Sequence, residues 1–561
     1  MAQPYMIVPA QGSDQADEWL RLGVEAQVAG QLPLAQKRYT DALRLDPRHA
    51  LALNNLAIVF AQSNLLNEAL LTIERAAMCD GVHACIQTNW ALMALESDRI
   101  EEAIQASKRA LAIAPDDVGA MMAFAMVSAT AGNPADSVAT YGRILDKEPT
   151  HPAAGPNSCF TQTLVDASPA ELLLQRRRWF EANRFKGAIE PHRNDRTPDR
   201  SLRVGYVGGD FKSHSAAFIF GRVVLHHSPA IETYLYSTLP VNPEADGTTK
   251  KFMDVAGPHW RDISTVNDED AAALIRKDGI DILIDLAAHT NGGRLALFTR
   301  KPAPIQATGW GFAHGTGCPH IDYFMADAVS VPTEDRIHYA ERIIDLPCLV
   351  TLEEPSHYNL KGTSLPPIRK NGYFTFGMYA RYEKISDKCL TVFAEILRRV
   401  PESKLEFKDH GFRRPYSMRR VMAAMPDIAP DRLLFSTATS HSDHMLAYQQ
   451  ADLILDPFPH CGGIVSLEQL YMGVPIITLY GKQPSGRNTS SVLTAMGRTD
   501  WIAKTTDEYI TKAVEWSERT KELAECRKTL RRELLDSPVV NGYVECVENA
   551  YRRIWREWCG R

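Results

Sequence analysis

A pair of glycines that directly precedes a helical pattern is the clearest candidate for a binding turn. The strand pattern DLILDPFP leads to Gly462 and Gly463, and the helical stretch IVSLEQLYMG begins at once. Exposed amides and the positive end of a helix at such a turn favour a diphosphate. Glu468 follows about one turn later, where its carboxylate could accept hydrogen bonds from ribose hydroxyls. The alternative is a plain Gly-Gly turn with an exposed helical glutamate.

Lys384 follows another strand pattern, FTFGMYA, at the start of a second α/β region. At the carboxyl edge of a sheet, a lysine can reach phosphates and neutralise the charge that grows on a leaving nucleotide. An ordinary surface lysine is the alternative. With the glycine turn, Lys384 predicts a site from which a nucleotide departs during the reaction.

Three side chains at strand ends of the first α/β region could accept a proton. His214 follows the strand pattern LRVGYVGGD, and Asp285 and His289 lie at the end of the pattern DILIDLA. An imidazole can act as a general base or position a hydroxyl because its pKa lies near neutrality. A lone histidine is more often structural, so the identity of the base stays open among these three.

The stretch 307–317 contains four glycines, among them Gly309 and Gly311. This pattern predicts a backbone that approaches a ligand closely, with a plain flexible loop as the alternative. We predict no metal site. The D-x-D sequence at 268–270 opens a helical pattern and is typical of an N-terminal cap.

Strand and helix patterns alternate from Leu202 and start again after SLPPIRKNG. This alternation predicts βαβ units and parallel sheets. Two such Rossmann-like halves that face one cleft form the GT-B fold. We place the acceptor-side half at 201–365, the nucleotide-sugar half at 366–535, and a helix that crosses back to the first half at 536–561. Ligands in such sheets bind at the carboxyl ends of the strands.

Residues 15–150 repeat with a period of 34. We call a set of equivalent positions in successive repeats a column. The first column holds small residues, Gly23, Ala57, Ala91 and Ala125, and the second holds residues that favour turns, Gly30, Asn64, Asp98 and Gly132. The third column again holds small residues, Ala35, Ala69, Ala103 and Ser137. This period is typical of about four tetratricopeptide repeats, followed by a helical transition at 151–200. The array could bind extended peptides, brace the catalytic halves or form a homodimer.

Composition narrows the class of protein further. The 561 residues suggest about three domains, and the net charge of −6 argues against nucleic acid as the main partner. Because apolar runs stay below about 18 residues, no membrane span is predicted. Ten scattered cysteines indicate reduced thiols and a cytoplasmic location.

Three stretches resemble the Spindly/O-GlcNAc transferase family, which is glycosyltransferase family 41: LRVGYVGGDFKSH, DILIDLAAHTNGGR with RKPAPIQATGWGF, and ADLILDPFPHCGG with LEQLYMGVPIITL. The resemblance covers nearly the whole chain. It implies a GT-B enzyme that transfers N-acetylglucosamine with inversion from UDP-GlcNAc to Ser/Thr of intracellular proteins, without a metal or other cofactor.

The resemblance also implies roles for individual residues. His214 matches the family's active-site histidine, Lys384 the lysine that contacts the diphosphate, and Glu468 the acidic residue that holds the ribose. Thr439, His441 and His444 match the segment that faces the uracil. The phosphate-binding turn is matched by Gly462, Gly463, Ile464 and Val465.

The chain departs from the family's pattern at two places on the donor side. Ile464 and Val465 stand where the family usually shows a Thr pair. Ala380 and Arg381 stand where it often has Asn-Gln or Asn-Asn. Both changes remove side-chain hydrogen bonds near the donor. GDP-fucose or UDP-glucose as donor, an Asn acceptor, and a nucleotide-binding scaffold with little turnover therefore remain alternatives.

Overall fold

The computed structural model describes residues 5–9, 14–354 and 365–560. The chain divides into two compact units, residues 1–161 with 414–419, and residues 162–413 with 420–561. The end of the predicted first half, 355–364, and Arg561, at the end of the predicted last helix, lie outside the described residues. The predicted boundaries between domains stay predictions.

Antiparallel helix pairs form the first unit. Their bounds are α1 (Gln15–Val28), α2 (Leu32–Leu45), α3 (Ala50–Gln62), α4 (Leu66–Cys79), α5 (Ala84–Glu96), α6 (Ile100–Ile113), α7 (Val118–Thr130) and α8 (Pro134–Lys147), with α9 (Ala154–Thr161) after them. The second repeat column lies in the turns within pairs, where φ is positive at Gly30, Asn64, Asp98 and Gly132. Glycine and asparagine adopt this conformation most readily, which explains the column.

The first column brings the two helices of a pair together. In α1, a methyl group on Gly23 would lie 2.4 Å from the ring of Tyr39 in α2. Both residues are buried. This close approach confirms the tetratricopeptide prediction in physical terms.

Helix α10 (Pro169–Asn183) opens the second unit, as the sequence predicts. Ser168 caps it, and Glu171 completes a capping box. The first sheet follows, with strands in the order β3-β2-β1-β4-β5-β6-β7. Its elements are β1 (Leu202–Gly208), α11 (Ala217–Val224), β2 (Ile231–Ser237), α12 (Gly247–Ala256), β3 (Trp260–Asp262), α13 (Asp268–Asp278), β4 (Ile282–Asp285), α14 (Leu295–Phe298), β5 (Ile305–Gly309), β6 (Tyr323–Ala326) and β7 (Arg342–Asp345).

The second sheet has strands in the order β10-β9-β8-β11-β12-β13, and the strand pairs of both sheets are parallel. Its elements are α15 (Ile368–Asn371), β8 (Thr375–Met378), α16 (Asp387–Arg399), β9 (Lys404–Lys408), α17 (Pro415–Ala424), β10 (Leu433–Ser436), α18 (His441–Tyr448), β11 (Leu453–Leu455), α19 (Ile464–Tyr471), β12 (Ile476–Leu479), α20 (Asn488–Ala495), β13 (Ile502–Ala503), α21 (Thr506–Glu518), α22 (Thr520–Asp536) and α23 (Tyr543–Cys559).

Helix α23 returns to the first sheet's half, as predicted. The hydroxyl of Tyr543 donates to the carbonyl of Cys348 at 2.8 Å and accepts from the indole of Trp310 at 3.0 Å. Glu548 accepts from Ser228 N at 2.7 Å. Helical repeats followed by two parallel sheets confirm the predicted fold class. In the described ranges, no helix combines the length and apolar character needed to cross a bilayer.

Candidate functional site

The predicted binding turn joins β11 to the N-terminus of α19. Asp456, just after the strand, accepts from Gly462 N at 2.8 Å, and Gly463 is the residue before the helix. A methyl group on Gly462 would lie 1.9 Å from Ser466 Oγ, so a larger residue here would displace that hydroxyl. Ser466 N and Leu467 N donate to the carbonyl of Gly463, so the amides of Ile464 and Val465 at the start of α19 are the ones that can bind an anion.

The structure places Lys384 directly at this turn. Its Nζ donates to the carbonyl of Cys461 at 2.7 Å, one residue before Gly462. Burial, with a further contribution from Arg381, lowers the pKa of Lys384 to about 8. A lysine whose positive charge is poorly solvated gains most from an arriving anion. The sequence-predicted lysine and glycine turn therefore belong to one site.

Glu468 lies buried in α19 at the centre of a polar cluster. Its carboxylate accepts from His441 Nε2 at 2.9 Å and from the hydroxyl of Tyr448 at 2.8 Å. His444 Nε2 contacts the same hydroxyl at 2.9 Å, and burial lowers the pKa of His444. Three of the residues predicted to face the ribose or the uracil are therefore linked by hydrogen bonds: Glu468 binds His441 directly and His444 through Tyr448.

The other predicted donor-side residues differ in exposure. Thr439 and Arg381 are exposed, Val465 is half-buried, and Ile464 is buried at the start of α19. The structure therefore brings Ile464 and Val465 to the turn, as apolar side chains beside the free amides.

His214 lies in the loop between β1 and α11 and its side chain is 45% exposed. Its Nδ1 lies 3.4 Å from Asp210 Oδ2 and 3.2 Å from the amide of Ala216. Nδ1 accepts from that amide, so the neutral ring carries its proton on Nε2. One turn later, the ring of Phe218 stacks on His441 with centroids 5.4 Å apart. This contact joins the loop of His214 to the cluster around Glu468.

Asp285 is buried and its carboxylate faces the protein. It accepts from Ala288 N at 2.9 Å and from the hydroxyl of Thr308 on β5 at 2.7 Å. Burial raises its pKa to about 6. The second sheet repeats the arrangement, because Asp456 accepts from the hydroxyl of Thr478 on β12 at 2.7 Å. Both aspartates hold the loop that follows their strand.

His289 is also buried, beside Trp179, with ring centroids 5.2 Å apart. Its Nε2 donates to the carbonyl of Thr316 at 2.9 Å. Burial lowers the pKa of His289 to about 3, so the ring is neutral at physiological pH. Of the three base candidates, His214 is the one that faces solvent.

We expect His289→Gln to reduce the acid sensitivity of the fold. The folded-state pKa lies below the ordinary value of 6.5, so the unfolded chain binds the proton first and stability falls as pH decreases from 6.5 towards 3. Between about pH 7 and pH 4.5 the Tm of the variant should fall less than that of the wild type, by about 2 °C or more. His214→Gln, at an exposed position, is the control. Equal losses in both variants and the wild type would contradict the expectation.

The glycines predicted to approach a ligand approach the protein's own backbone. A methyl group on Gly311 would lie 1.5 Å from the carbonyl oxygen of Leu286, and one on Gly309 would lie 2.9 Å from Cβ of Met325. Gly309 ends β5 and Met325 lies on β6, so the predicted loop begins only after Gly309. Close packing within the first half is sufficient to explain glycine at both positions.

Sequence reasoning misses a polar group beside the turn. Asn488 is buried, and its Nδ2 lies 3.8 Å from where a methyl group on Gly463 would be. Among the described residues, no hydrogen-bond partner is found for Asn488 Oδ1 or for the hydroxyls of Ser485 and Ser490. The signal in the sequence is the stretch SGRNTSS, which follows β12 and opens α20. These groups are further candidates for contacts to a ligand.

Comparisons with known proteins show which family and which solved structure this chain is similar to. The model of Glycosyl transferase family 41 matches residues 142–352 and 371–548, and a tetratricopeptide model matches 20–81. A relative from Oryza sativa subsp. japonica, named "Probable UDP-N-acetylglucosamine--peptide N-acetylglucosaminyltransferase SPINDLY", is 32% identical over 75% of the chain. A relative of that name from Hordeum vulgare is 32% identical over 73%. The chain spans only 46% and 44% of these two relatives, respectively.

A solved structure covers the whole architecture. It is a mutant of Thermobaculum terrenum O-GlcNAc transferase, 25% identical, with a TM-score of 0.79 over 98% of this chain and 99% of that chain. The repeats and both sheets are therefore shared with a protein of that description. The family model covers more than half of the chain and includes every predicted site residue. The chain belongs to glycosyl transferase family 41.

Proposed function

We propose that this chain transfers N-acetylglucosamine from UDP-GlcNAc to Ser/Thr hydroxyls of proteins in the cytoplasm, with inversion and without a metal ion. The observation that carries the proposal is the hydrogen bond of 2.7 Å from Lys384 Nζ to the carbonyl of Cys461, at the entrance to the Gly462–Gly463 turn. The printed names of the relatives, which specify UDP-N-acetylglucosamine and a peptide, support the choice of donor and acceptor.

The reaction is a single displacement at the anomeric carbon. The acceptor hydroxyl oxygen forms a bond to that carbon while the bond to the β-phosphate oxygen breaks, which inverts the configuration. UDP leaves with an added negative charge, which Lys384 and the amides at the start of α19 stabilise. The hydroxyl proton passes to the imidazole of His214, with Asp285 or a phosphate oxygen of the donor as the alternatives.

Metal independence follows from how the leaving charge is balanced. Lys384 and the N-terminus of α19 supply positive charge where a divalent cation would otherwise act. Over residues 5–9, 14–354 and 365–560, no cluster of three or more His, Cys, Asp or Glu side chains is placed to hold a metal ion. Transfer that persists unchanged in EDTA would support the proposal, and loss that Mg²⁺ or Mn²⁺ restores would overturn it.

The nature of the donor is tested by titrating the protein, in EDTA, with UDP, UDP-GlcNAc, UDP-glucose and GDP-fucose in a calorimeter. Preference for UDP-GlcNAc supports the proposal. The apolar side chains of Ile464 and Val465 at the turn favour testing the other sugars as well. Binding of the guanosine sugar alone would change the donor, and binding of none would favour a scaffold. Sedimentation of the same sample tests whether the repeats form a homodimer.

We expect Glu468→Ala to weaken UDP binding by about tenfold to a hundredfold. The variant loses the acceptor for ribose hydroxyls and leaves His441 and Tyr448 without their shared carboxylate. Calorimetry with UDP measures the effect. Asp443→Ala removes an exposed carboxylate from the neighbouring helix α18 and should bind UDP as the wild type does. If the two variants bind UDP equally well, the role proposed for Glu468 is wrong.

A further inference from the structure

Asn488 is a buried polar side chain beside the glycine turn. It is the first residue of α20, and it is only 5% exposed. No hydrogen-bond partner for its Oδ1 is found among the described residues. Its Nδ2 lies 3.8 Å from the point that a methyl group on Gly463 would occupy. Buried polar side chains are normally hydrogen-bonded, so a carboxamide in this position indicates a partner that the chain itself does not supply.

Other residues fix the position of Asn488 relative to the turn. On one side of the glycine pair, Cys461 N donates to the carbonyl of Ser485 at 2.9 Å. On the other side, the hydroxyls of Ser466 and Thr489 lie 2.8 Å apart. All four of these residues are buried. The backbone that carries Asn488 is therefore held against the turn without help from the carboxamide, which leaves the carboxamide available to a ligand.

The first two side chains of α19 cannot bind a phosphate. Ile464 is buried and Val465 is half-buried, and both are apolar. Any side-chain hydrogen bond to an anion at the turn must therefore come from a neighbouring segment. Lys384 supplies one such group, since its Nζ lies 2.7 Å from the carbonyl oxygen of Cys461. Asn488 supplies a second group, and its amide nitrogen carries two N–H donors without a charge.

The place of Asn488 along the turn selects one of the two phosphates. In the proposed function, Glu468 holds the ribose, and the diphosphate extends from there towards the N-terminus of α19. Gly463 precedes Glu468 by five residues, which corresponds to about 7 Å along a helix. Lys384 contacts Cys461, two residues before Gly463. Asn488 and Lys384 therefore reach the end of the turn that is farther from the ribose, where the β-phosphate is expected.

We propose that Asn488 Nδ2 donates a hydrogen bond to a β-phosphate oxygen of the bound nucleotide and stabilises UDP as it leaves. During transfer the bond between the anomeric carbon and the β-phosphate oxygen breaks, and negative charge grows on that phosphate. An N–H group that is already directed at this position stabilises the charge, and the carboxamide keeps its protons throughout. This inference rests on the proposed function, because it needs a nucleoside diphosphate at the turn.

The test compares UDP with UMP, which lacks the β-phosphate. Asn488→Leu keeps a side chain of similar size and removes both polar groups. In calorimetric titrations of the full chain, the variant should bind UDP about tenfold more weakly than the wild type, because it loses a hydrogen bond to a charged group. It should bind UMP as tightly as the wild type does. The value of kcat for sugar transfer should also fall by about tenfold.

Thermal unfolding separates this role from a structural one. Because Asn488 Oδ1 has no partner in the described chain, Asn488→Leu should leave the Tm of the nucleotide-free protein unchanged or raise it. The rise in Tm on adding UDP should be smaller than in the wild type. Thr494→Ala, at an exposed position of the same helix, is the control and should match the wild type in both measurements. A lower Tm of Asn488→Leu with unchanged affinity for UDP would show a structural role and contradict the proposal.

The outcomes distinguish this inference from the proposed function. If Lys384→Ala weakens UDP binding and Asn488→Leu does not, the role of Asn488 is wrong and the proposed function stands. If Asn488→Leu weakens binding of UDP-GlcNAc but not of UDP, the carboxamide contacts the sugar and the assignment to the β-phosphate is wrong. If the wild type binds no UDP at all, the proposed function and the role of Asn488 are both overturned.

Discussion

Lys384→Ala should lower kcat for sugar transfer by about 10²–10³-fold, because the variant loses the cation that balances the departing diphosphate. The Nζ of Lys384 already lies 2.7 Å from the carbonyl that precedes the glycine turn, so no large movement is needed for it to reach a phosphate there. Transfer of radiolabelled N-acetylglucosamine to a protein acceptor measures the loss. Calorimetry should show weaker UDP binding in the same variant.

Lys388→Ala is the matched control, since this lysine is exposed on α16, four residues further along the chain. It should leave kcat unchanged. If Lys384→Ala keeps half or more of the wild-type kcat, the lysine does not stabilise the leaving group. If it abolishes transfer but leaves partner binding by the repeats intact, the scaffold alternative is excluded as the main function.

The lowered pKa of Lys384 predicts how kcat/KM and kcat change with pH. The side chain carries its charge below its pKa of about 8 and loses it as pH rises through that value. The value of kcat/KM should therefore fall above about pH 8. A bound diphosphate favours the charged form, so the fall in kcat should begin at higher pH. Lys384→Ala should lack both effects.

The repeat array is the part of the fold that the sequence predicts most completely. Its period fixes both the helix pairs and the turn positions, since a left-handed residue is needed at the same place in each unit. Asp98 adopts a φ of 62° there, although aspartate is less suited to this conformation than glycine. The repeat context therefore identifies a turn that the residue type alone would leave uncertain.

The first sheet is harder to predict because some of its strands lack a clear pattern. The sequence predicts β1 and β4 from their apolar runs, but β5 contains Gln306 and Thr308, both buried. Their hydrogen-bond partners lie outside the strand: Gln306 Nε2 donates to the carbonyl of His320, and Thr308 donates to Asp285. A local pattern cannot reveal such partners.

The candidate site shows the same limit. A strand, a glycine pair and a helix identify the turn from sequence, and Glu468 follows from its position in that helix. The stacking of Phe218 on His441 joins helix α11 of the first half to helix α18 of the second, and Asn488 lies beside the turn at the start of α20. Neither contact has a fixed spacing in the sequence, so only the folded structure identifies them.

Gly311→Ala should destabilise the fold by about 3 kcal/mol, because the added methyl group would lie 1.5 Å from the carbonyl oxygen of Leu286. That oxygen cannot easily move away, since the amide of the same peptide group, Ala287 N, donates to Asp285 Oδ1 at 3.3 Å. The loop that contains Gly311 is held as well, because the indole of the preceding residue, Trp310, donates to the hydroxyl of Tyr543. The Tm in a thermal unfolding scan measures the effect. Gly247→Ala, where nothing lies within 4 Å of the new methyl group, should leave the Tm unchanged.

The same variant separates the two explanations of the glycine-rich loop. If Gly311 is required for packing against Leu286, the Tm falls, whether or not a donor is bound. If the loop instead needs glycine so that its backbone can approach a ligand, Gly311→Ala should keep the wild-type Tm and lose binding or transfer. The distance of 1.5 Å to a backbone oxygen favours the first outcome, since a side chain could turn aside but the peptide group of this carbonyl is held through Ala287 N, which donates to Asp285 Oδ1.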